Sequence, residues 1–205
     1  MDDAATPIDE TAEALDIIVR SGKVRYIGVS NYLAYRLARA IGRQDTLRLA
    51  RFVSVQPRYN LLFREIEREL LPLACEEGLA VIPFNPLAGG LLSGKYQRDE
   101  APATGRFSAE VGPFGAMYQA RYWHDREFET IGRLGEMASA AGQPLATLSV
   151  AWILANPAIT SVILGASRAD QLTATLAAAD VSLPDDLKSA LDEVSVDYRR
   201  GDAVR

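Results

Sequence analysis

The stretch AVIPFNPLAGGLLSGKY, residues 80–96, decides how the rest of this chain is interpreted. It begins inside an apolar run, residues 79–84, that fits a buried β-strand. Pro83 and Pro86 then end regular structure, because proline lacks the amide hydrogen and fixes its φ angle. The strand is therefore expected to open directly into a loop.

That loop has a distinctive order of residue types. Phe84 stands at the strand end, Gly89 and Gly90 allow the backbone to turn sharply and approach a ligand, and Ser93 and Lys95 follow. This order suits a ligand that has a flat ring followed by phosphates. The alternative is a strand that leads into a poorly ordered surface loop, and the neighbouring segments must decide between the two.

The composition indicates an ordinary globular chain. Its 205 residues are 48% hydrophobic and 24% charged, which fits one large domain or two small ones. We interpret residues 1–205 as a single domain. The net charge of −5 argues against nucleic acid or an anionic membrane as a partner. No apolar run reaches the roughly 18 residues of a membrane span. The acidic N-terminus is unlike a signal peptide, and we therefore expect a cytoplasmic protein.

Single copies of cysteine and histidine limit the chemistry further. Cys75 excludes an internal disulfide and any cysteine-based metal cluster, and its helical context predicts a buried, inert thiol. The sequence has no G-x-S-x-G serine elbow with which His124 could form a catalytic Ser-His-Asp triad, so we interpret it as a surface or helix-start residue. The sequence predicts no metal site.

Strands and helices alternate along the chain. Strands are predicted at 23–30, 52–56, 79–84 and 160–164, and helices at 6–21, 31–41 (closed by Gly42), 65–77, 124–140, 145–155, 169–178 and 184–194. Residues 85–122 lack a lasting periodicity, and residues 197–205 are predicted to form a loose tail. Connections of this length predict right-handed βαβ units and a parallel sheet, hence an α/β fold. Polar side chains follow the strand ends, which is the edge where parallel sheets bind ligands.

Four motifs then match a known family in order and spacing. They are VRYIGVSN (24–31), VQPRYN (55–60), IPFNPLAGGLLSGK (82–95) and VILGASRADQ (162–171). Together they resemble the aldo-keto reductases over nearly the whole chain. The resemblance implies a parallel (β/α)₈ TIM barrel that reduces aldehydes and ketones to alcohols with NADPH.

The resemblance also implies the cofactor contacts. Ser30, Asn31 and Gln56 would hydrogen-bond the nicotinamide carboxamide, and Phe84 would stack on the ring. The residues implied at the pyrophosphate are Asn85, Pro86, Leu87, Ala88, Gly90 and Lys95. Those implied at the adenosine 2′-phosphate end are Gly165, Ser167, Arg168 and Gln171, with Arg168 as the charged partner that favours NADP over NAD.

Three positions depart from the family pattern. Phe84 replaces the usual Tyr or Trp, which preserves stacking without a hydroxyl. Ala174 and Thr175 replace a Glu-Asn pair, so contacts to the adenosine are lost and binding should be weaker. Leu164 replaces a proline, for which we expect little effect.

The largest departure is an absence. A full barrel has eight strands and about 250 residues, whereas four strands are predicted here. The resemblance implies that the catalytic Asp, Tyr, Lys and His belong to the missing first half, so no catalytic residue is assigned and the domain is interpreted as incomplete at its N-terminus. The inward strand faces would then be exposed, and those residues are Ile27, Val29, Val53, Val55, Val81 and Ile82. We expect a sticky half-barrel, a homodimer or one half of a complemented pair.

Three hypotheses follow. In the first, the chain is the cofactor-binding half of an NADPH-dependent reductase that acts on a small carbonyl substrate once it is complemented. In the second, it is a catalytically inactive nucleotide-binding or interaction module derived from that family. In the third, it is a phosphate-binding half of an unrelated barrel, which explains the glycines but not Ser30, Asn31 and Gln56.

Overall fold

Helices and strands alternate in the first part of the chain, in a computed structural model that describes residues 3, 5–100 and 102–201. The elements there are α1 (Ile8–Arg20), β1 (Ile27–Ser30), α2 (Ala34–Leu47), β2 (Phe52–Gln56), α3 (Leu70–Glu76) and β3 (Ala80–Val81). Helices follow: α4 (Pro113–Tyr122), α5 (Asp125–Ala140), α6 (Leu145–Leu154), α7 (Leu172–Leu176) and α8 (Asp185–Val194). Short 3₁₀ turns lie at Glu65–Glu67, Ala88–Ser93, Ala109–Val111, Ala169–Gln171, Ala177–Asp180 and Val196–Arg200.

The three strands form one parallel sheet in the order β1-β2-β3. Ser30 lies opposite Gln56 at the carboxyl end of the first pair, and Val55 lies opposite Val81 in the second. This confirms the predicted parallel βαβ arrangement, in which the polar strand ends share one edge. It is a partial sheet of the kind that a β/α barrel contains.

The expected exposure of the inward-facing residues is wrong for three of the six and holds only in part for Val29 and Ile82, which are half-buried. Val55 and Val81 are fully buried and Ile27 is 8% exposed, because they pack in the core with residues of α2 and α3. Val53, at 41% exposed, does match the expectation. The buried apolar residues of the sheet thus face the helices.

The predicted fourth strand, residues 160–164, is wrong as a ladder strand. The segment has no regular strand pairing, although the Thr160 and Ile163 N–H groups donate to the carbonyl oxygens of Val81 and Pro83, both at 2.9 Å. The Val81 N–H donates instead to the Thr160 hydroxyl oxygen at 3.1 Å, so this donor does not reach a backbone carbonyl. The segment still runs alongside β3, and the residues that come directly after it therefore lie at the same edge of the sheet.

Two further boundaries differ in the middle of the chain. α2 does not close at Gly42 but continues to Leu47 and ends at Arg48, whose φ of 55° is left-handed. The aperiodic region contains α4, which begins with a proline in its first turn and is too weakly patterned to be predicted.

Cys75 is exposed rather than buried, because it lies on the outer face of α3.

The prediction of a loose C-terminal tail is also wrong for the part of it that the structure describes. Val196–Arg200 forms a 3₁₀ turn in which Tyr198 is 2% exposed, and the Tyr198 carbonyl accepts the Arg64 N–H at 2.9 Å. Residues 202–205 of that prediction lie outside the described residues.

In the described ranges no single helix is long and apolar enough to cross a membrane; α5 and α6 reach that length only together, bent by 91°.

A buried ionic network fastens this C-terminal part to the rest of the fold. Arg64 donates to both carboxylate oxygens of Glu67, at 2.8 and 3.0 Å, and lies 3.1 Å from a carboxylate oxygen of Asp192. Its guanidinium also donates to the Ser195 hydroxyl oxygen at 2.8 Å, and Lys188 lies 2.6 Å from Asp192. Opposite charges therefore meet where α8 packs on the chain that follows β2.

This network predicts acid sensitivity through Asp192. Burial favours its protonated form, but hydrogen bonds from Lys188 and Trp152 and the charge of Arg64 outweigh it and lower the pKa of Asp192. A lowered folded-state pKa contributes stability above the ordinary value of about 3.9, and this stability is lost as the pH falls. We expect the free energy of unfolding in urea to fall from about pH 4 to pH 3, and less steeply in Asp192→Asn. Asp186→Asn, an exposed change on the same helix, should keep the wild-type slope. Equal slopes in all three proteins would contradict the assignment.

Candidate functional site

The ends of β1 and β2 bring three predicted residues together. The Ser30 hydroxyl donates to the Gln56 carbonyl oxygen at 2.9 Å, and the Asn31 N–H donates to the same oxygen at 3.2 Å. Asn31 has a left-handed φ of 54°, which asparagine tolerates better than most residues. The side chains of Asn31 and Gln56 are exposed at this edge. The cluster therefore presents amide and hydroxyl groups to a ligand.

Phe84 lies beside this cluster because pairing continues past the prolines. The Phe84 N–H donates to the Pro57 carbonyl oxygen at 3.0 Å, and the Phe84 carbonyl accepts the Tyr59 N–H at 3.3 Å. Arg58 and Phe84 form an isolated parallel bridge. Proline at 57 and 83 thus interrupts the regular ladder without separating the two segments. The half-buried Phe84 ring is fixed at the edge by its backbone.

The glycine-rich turn is ordered, unlike a loose surface loop. Four consecutive or near-consecutive residues have left-handed φ angles: Asn85 at 59°, Ala88 at 48°, Gly89 at 74° and Gly90 at 105°. The Gly89 N–H donates to the Asn85 side-chain oxygen at 2.7 Å. Leu91 and Leu92, directly after the turn, are buried and anchor it in the core. Pro86, Leu87 and Ala88 lie within the same turn.

Lys95 remains close to this turn. A Cβ added to Gly90 would lie 3.9 Å from the Lys95 amine nitrogen, so the ammonium group lies beside the Gly90 backbone, which no side chain of its own covers. Lys95 lines a cavity of about 390 Å³ together with residues that include Tyr96, Glu100 and Thr104. A cation beside backbone that lacks side chains is an arrangement suited to phosphate.

The exit of segment 160–164 holds the remaining predicted residues. The Ser167 N–H and hydroxyl both lie within hydrogen-bond distance of the Gln171 side-chain oxygen, at 3.0 and 3.1 Å. Arg168 does not join them, because its guanidinium pairs with both Asp170 oxygens at 3.1 Å. Hydrogen bonding from Arg168 lowers the pKa of Asp170, and Asp170 in turn raises the pKa of Arg168. Gly165 and these four residues are exposed.

Sequence reasoning missed Arg106. One of its guanidinium nitrogens would lie 3.7 Å from a Cβ on Gly165, and another donates to the Tyr118 hydroxyl oxygen at 3.0 Å. Arg106 thus brings a second cation from the aperiodic region to the exit of segment 160–164. The only signal in the sequence was an arginine within a long loop after a glycine-rich turn.

His124 has the predicted structural role. It is exposed, immediately precedes α5, and its ring nitrogen Nε2 lies 2.8 Å from the Ala120 carbonyl oxygen. The prediction of a helix-start residue is confirmed.

A second, larger cavity lies elsewhere. It has a volume of about 530 Å³ between α5, α6 and α8, and its lining includes Met137, Leu148, Leu183 and Asp186. The lining contains an acidic side chain and no lysine or arginine, so it does not suit a phosphate. The strand-end edge, with Lys95, Arg106 and Arg168, is therefore the candidate site.

The chain is similar to proteins of one known family. The model of the aldo/keto reductase family matches residues 1–196. An uncharacterized oxidoreductase, YrpG, of Bacillus subtilis is 33% identical over 192 residues, covering 94% of this chain and 55% of that protein. A probable voltage-gated potassium channel subunit beta of Arabidopsis thaliana is 36% identical over 180 residues, covering 87% of this chain and 54% of that protein.

L-glyceraldehyde 3-phosphate reductase of Escherichia coli is 35% identical over 171 residues, covering 83% of this chain and 49% of that protein. The chain spans about half the length of the curated relatives that it matches.

Proposed function

The chain belongs to the aldo/keto reductase family, and from this membership we propose that it binds NADPH along the carboxyl edge of its sheet for the reduction of a small aldehyde or ketone. One observation carries the proposal: the Ser30–Asn31–Gln56 cluster and the glycine-rich turn follow neighbouring strands of one parallel sheet. We also propose that the protein acts in the cytoplasm.

The strand-end cluster fits a nicotinamide carboxamide. Because the Ser30 hydroxyl donates its hydrogen to the Gln56 carbonyl, its lone pairs remain oriented to accept an amide N–H. The exposed side-chain amides of Asn31 and Gln56 can each donate and accept one further bond. Phe84 offers a ring face for stacking at the next strand end. When it is bound, NADPH would supply the hydride that reduces the carbonyl carbon.

The turn and the cations fit the phosphates. Left-handed backbone without a side chain at Gly90 leaves room for close approach, and Lys95 supplies the opposite charge. Arg106 and Arg168 bring guanidinium groups to the far exit, where a 2′-phosphate would require them. Binding there would require Arg168 to exchange Asp170 for the phosphate.

Arg168→Ala tests this last contact. Loss of one exposed charge-assisted contact should weaken NADPH binding about tenfold and leave NADH binding unchanged, because NADH lacks the 2′-phosphate. The measurement is a fluorescence titration of both cofactors, with Arg133→Ala on the exposed face of α5 as a matched control. An equal loss for the two cofactors would contradict a role in 2′-phosphate recognition.

The proposal as a whole is tested on the wild-type chain. We expect NADPH emission to increase on binding and Trp123 emission to change, because the Trp123 ring packs 5.2 Å from Phe107 in the loop that carries Arg106. No change in either signal at millimolar NADPH would contradict the proposal.

Turnover requires a proton donor, and we propose that a β/α half-barrel packed beside β1 provides it. β1 has a sheet neighbour on one side only among the described residues. Apolar side chains that adjoin it in the sequence are exposed, with Tyr26 at 75% and Leu33 at 59%. The relatives are about twice as long as this chain, which agrees with a complementary half of similar size.

Coexpression with the N-terminal half of the Bacillus subtilis relative tests this partner. A 1:1 complex that reduces p-nitrobenzaldehyde with NADPH is expected, whereas the chain alone should bind NADPH without turnover. A homodimer that is active by itself would contradict the need for a second kind of half, and sedimentation would detect it.

A non-catalytic nucleotide-binding module is the second candidate function. It is favoured by the fact that no residue of this chain is assigned as a proton donor, and by the relative whose name is that of a probable channel subunit. NADPH binding without carbonyl turnover, even in the complemented complex, would select this function over the first.

A further inference from the structure

Tyr122 gathers three hydrogen-bond donors beneath the glycine-rich turn. It is the last residue of α4, and its side chain is fully buried. Its hydroxyl oxygen lies 3.1 Å from the Asn85 amide nitrogen, 3.3 Å from the Asn60 amide nitrogen and 3.5 Å from an Arg58 guanidinium nitrogen. One phenol oxygen thus joins the segment after β2 to the segment after β3.

This oxygen fixes the orientation of the Asn85 side chain. Because the Asn85 amide nitrogen donates to Tyr122, its amide oxygen faces the Gly89 N–H and accepts it at 2.7 Å. The opposite orientation would place an N–H donor against the Gly89 N–H. Asn60 holds the other end of the same residue, since its amide nitrogen also donates to the Asn85 carbonyl oxygen at 2.9 Å.

The turn needs such support because its backbone is costly. Asn85 and Ala88 both have left-handed φ angles, at 59° and 48°, a conformation that is unfavourable for residues with a Cβ atom, for alanine more than for asparagine. Strained backbone of this kind persists only where the surroundings determine it. The contacts that determine it here lead through Asn85 to Tyr122.

We propose that Tyr122 is a positioning residue that holds the 85–90 turn in its left-handed conformation. This rests on the proposed function in one respect, namely that the preformed turn receives the dinucleotide phosphates. Without the Tyr122 oxygen, the Asn85 amide loses a buried acceptor and is free to rotate away from Gly89. The phosphates would then have to order the turn on binding, which weakens affinity.

Tyr122→Phe tests the proposal through hydrogen exchange of the Gly89 amide in the cofactor-free protein. We expect exchange at Gly89 to become at least about tenfold faster, which corresponds to the loss of one buried hydrogen bond. NADPH affinity should fall by about the same factor. The matched control is Tyr198→Phe, which removes a buried hydroxyl that lies 2.9 Å from the Thr130 hydroxyl and leaves the turn untouched. Its Gly89 exchange should equal that of the wild type.

Asn85→Ala tests the same connection from the side of the turn, and unchanged Gly89 exchange in it would overturn the proposal even if Tyr122→Phe does not fold. It should speed Gly89 exchange as well, and the two changes combined should add little to either one, because they break one chain of contacts. Unchanged Gly89 exchange in folded Tyr122→Phe, or in Asn85→Ala, would overturn the proposal. A wild-type chain that fails to bind NADPH would instead refute the proposed function, while Gly89 exchange would still decide the role of Tyr122.

Discussion

Replacing Gly89 by alanine is expected to lower the affinity for NADPH about a hundredfold. Gly89 has a φ of 74°, where an L side chain is strained. A Cβ there would also lie 2.7 Å from a ring carbon of Tyr118 and 3.1 Å from one of Phe107, so either the turn or the aromatic cluster must move. Both effects displace the backbone that is proposed to contact the phosphates.

Gly132→Ala is the matched control for this change. Gly132 lies in α5, and a Cβ added there meets nothing within 4 Å. The substitution should leave NADPH binding unchanged and stabilise the protein slightly, because alanine favours a helix over glycine by about 1 kcal/mol. Fluorescence titration of both variants gives the comparison. Wild-type affinity in Gly89→Ala would show that the turn does not contact the cofactor.

Replacing Arg64 by methionine is expected to cost about 3–5 kcal/mol of folding free energy. The Arg64 side chain is 6% exposed and donates to both carboxylate oxygens of Glu67, which is itself only 12% exposed. Its removal takes the most buried cation from Glu67, whereas Asp192 keeps Lys188 at 2.6 Å. Arg199, 3.1 Å from Glu67, can compensate only in part because its side chain is 47% exposed. The contact between Tyr59 and Glu67 is also disturbed, since the Tyr59 hydroxyl donates to the Glu67 carboxylate at 2.7 Å.

Thermal unfolding measures this effect. For a chain of this size the loss corresponds to a fall in Tm of roughly 6–20 °C. Arg133→Met on the exposed face of α5 is the control and should change stability by less than about 0.5 kcal/mol. A small effect of Arg64→Met would mean that the network contributes little net stability.

The sequence predicted the elements whose signal is local. β2 at Phe52–Gln56 and the helices α5, α6 and α8 lie where periodicity, caps and terminal prolines indicated, within one or two residues. The strand-end polar residues came together because parallel strands place their carboxyl ends at one edge, a rule that needs no side-chain detail.

The errors arose where tertiary contacts outweigh local signals. Gly42 does not end α2, because the helix continues to pack on α1 through residues beyond it, as the Arg43–Asp9 ion pair at 2.7 Å illustrates. Residues 160–164 have strand-like composition, but the Thr160 hydroxyl takes the Val81 donor that a ladder requires. Tyr198 is buried by contacts with Thr130 and Arg64 that are distant in sequence.

The positions of the candidate site residues were predicted in part for the same reason. Ser30, Asn31 and Gln56 are organised by sheet register, which a pattern can indicate. Arg106 and Tyr122 belong to the aperiodic region, and their positions follow from three-dimensional contacts with Gly165 and Asn85. No spacing rule connects those pairs.

Amide spectra of the ¹⁵N-labelled wild-type chain during titration with NADP⁺ show where on the fold the dinucleotide binds. We expect shifts at Asn31, Gln56, Gly89, Gly90 and Ser167, which lie along the carboxyl edge of the sheet, and constant signals around Met137 and Leu183 in the cavity of about 530 Å³. Shifts confined to that cavity, or unchanged spectra at millimolar NADP⁺, would contradict the proposed binding site.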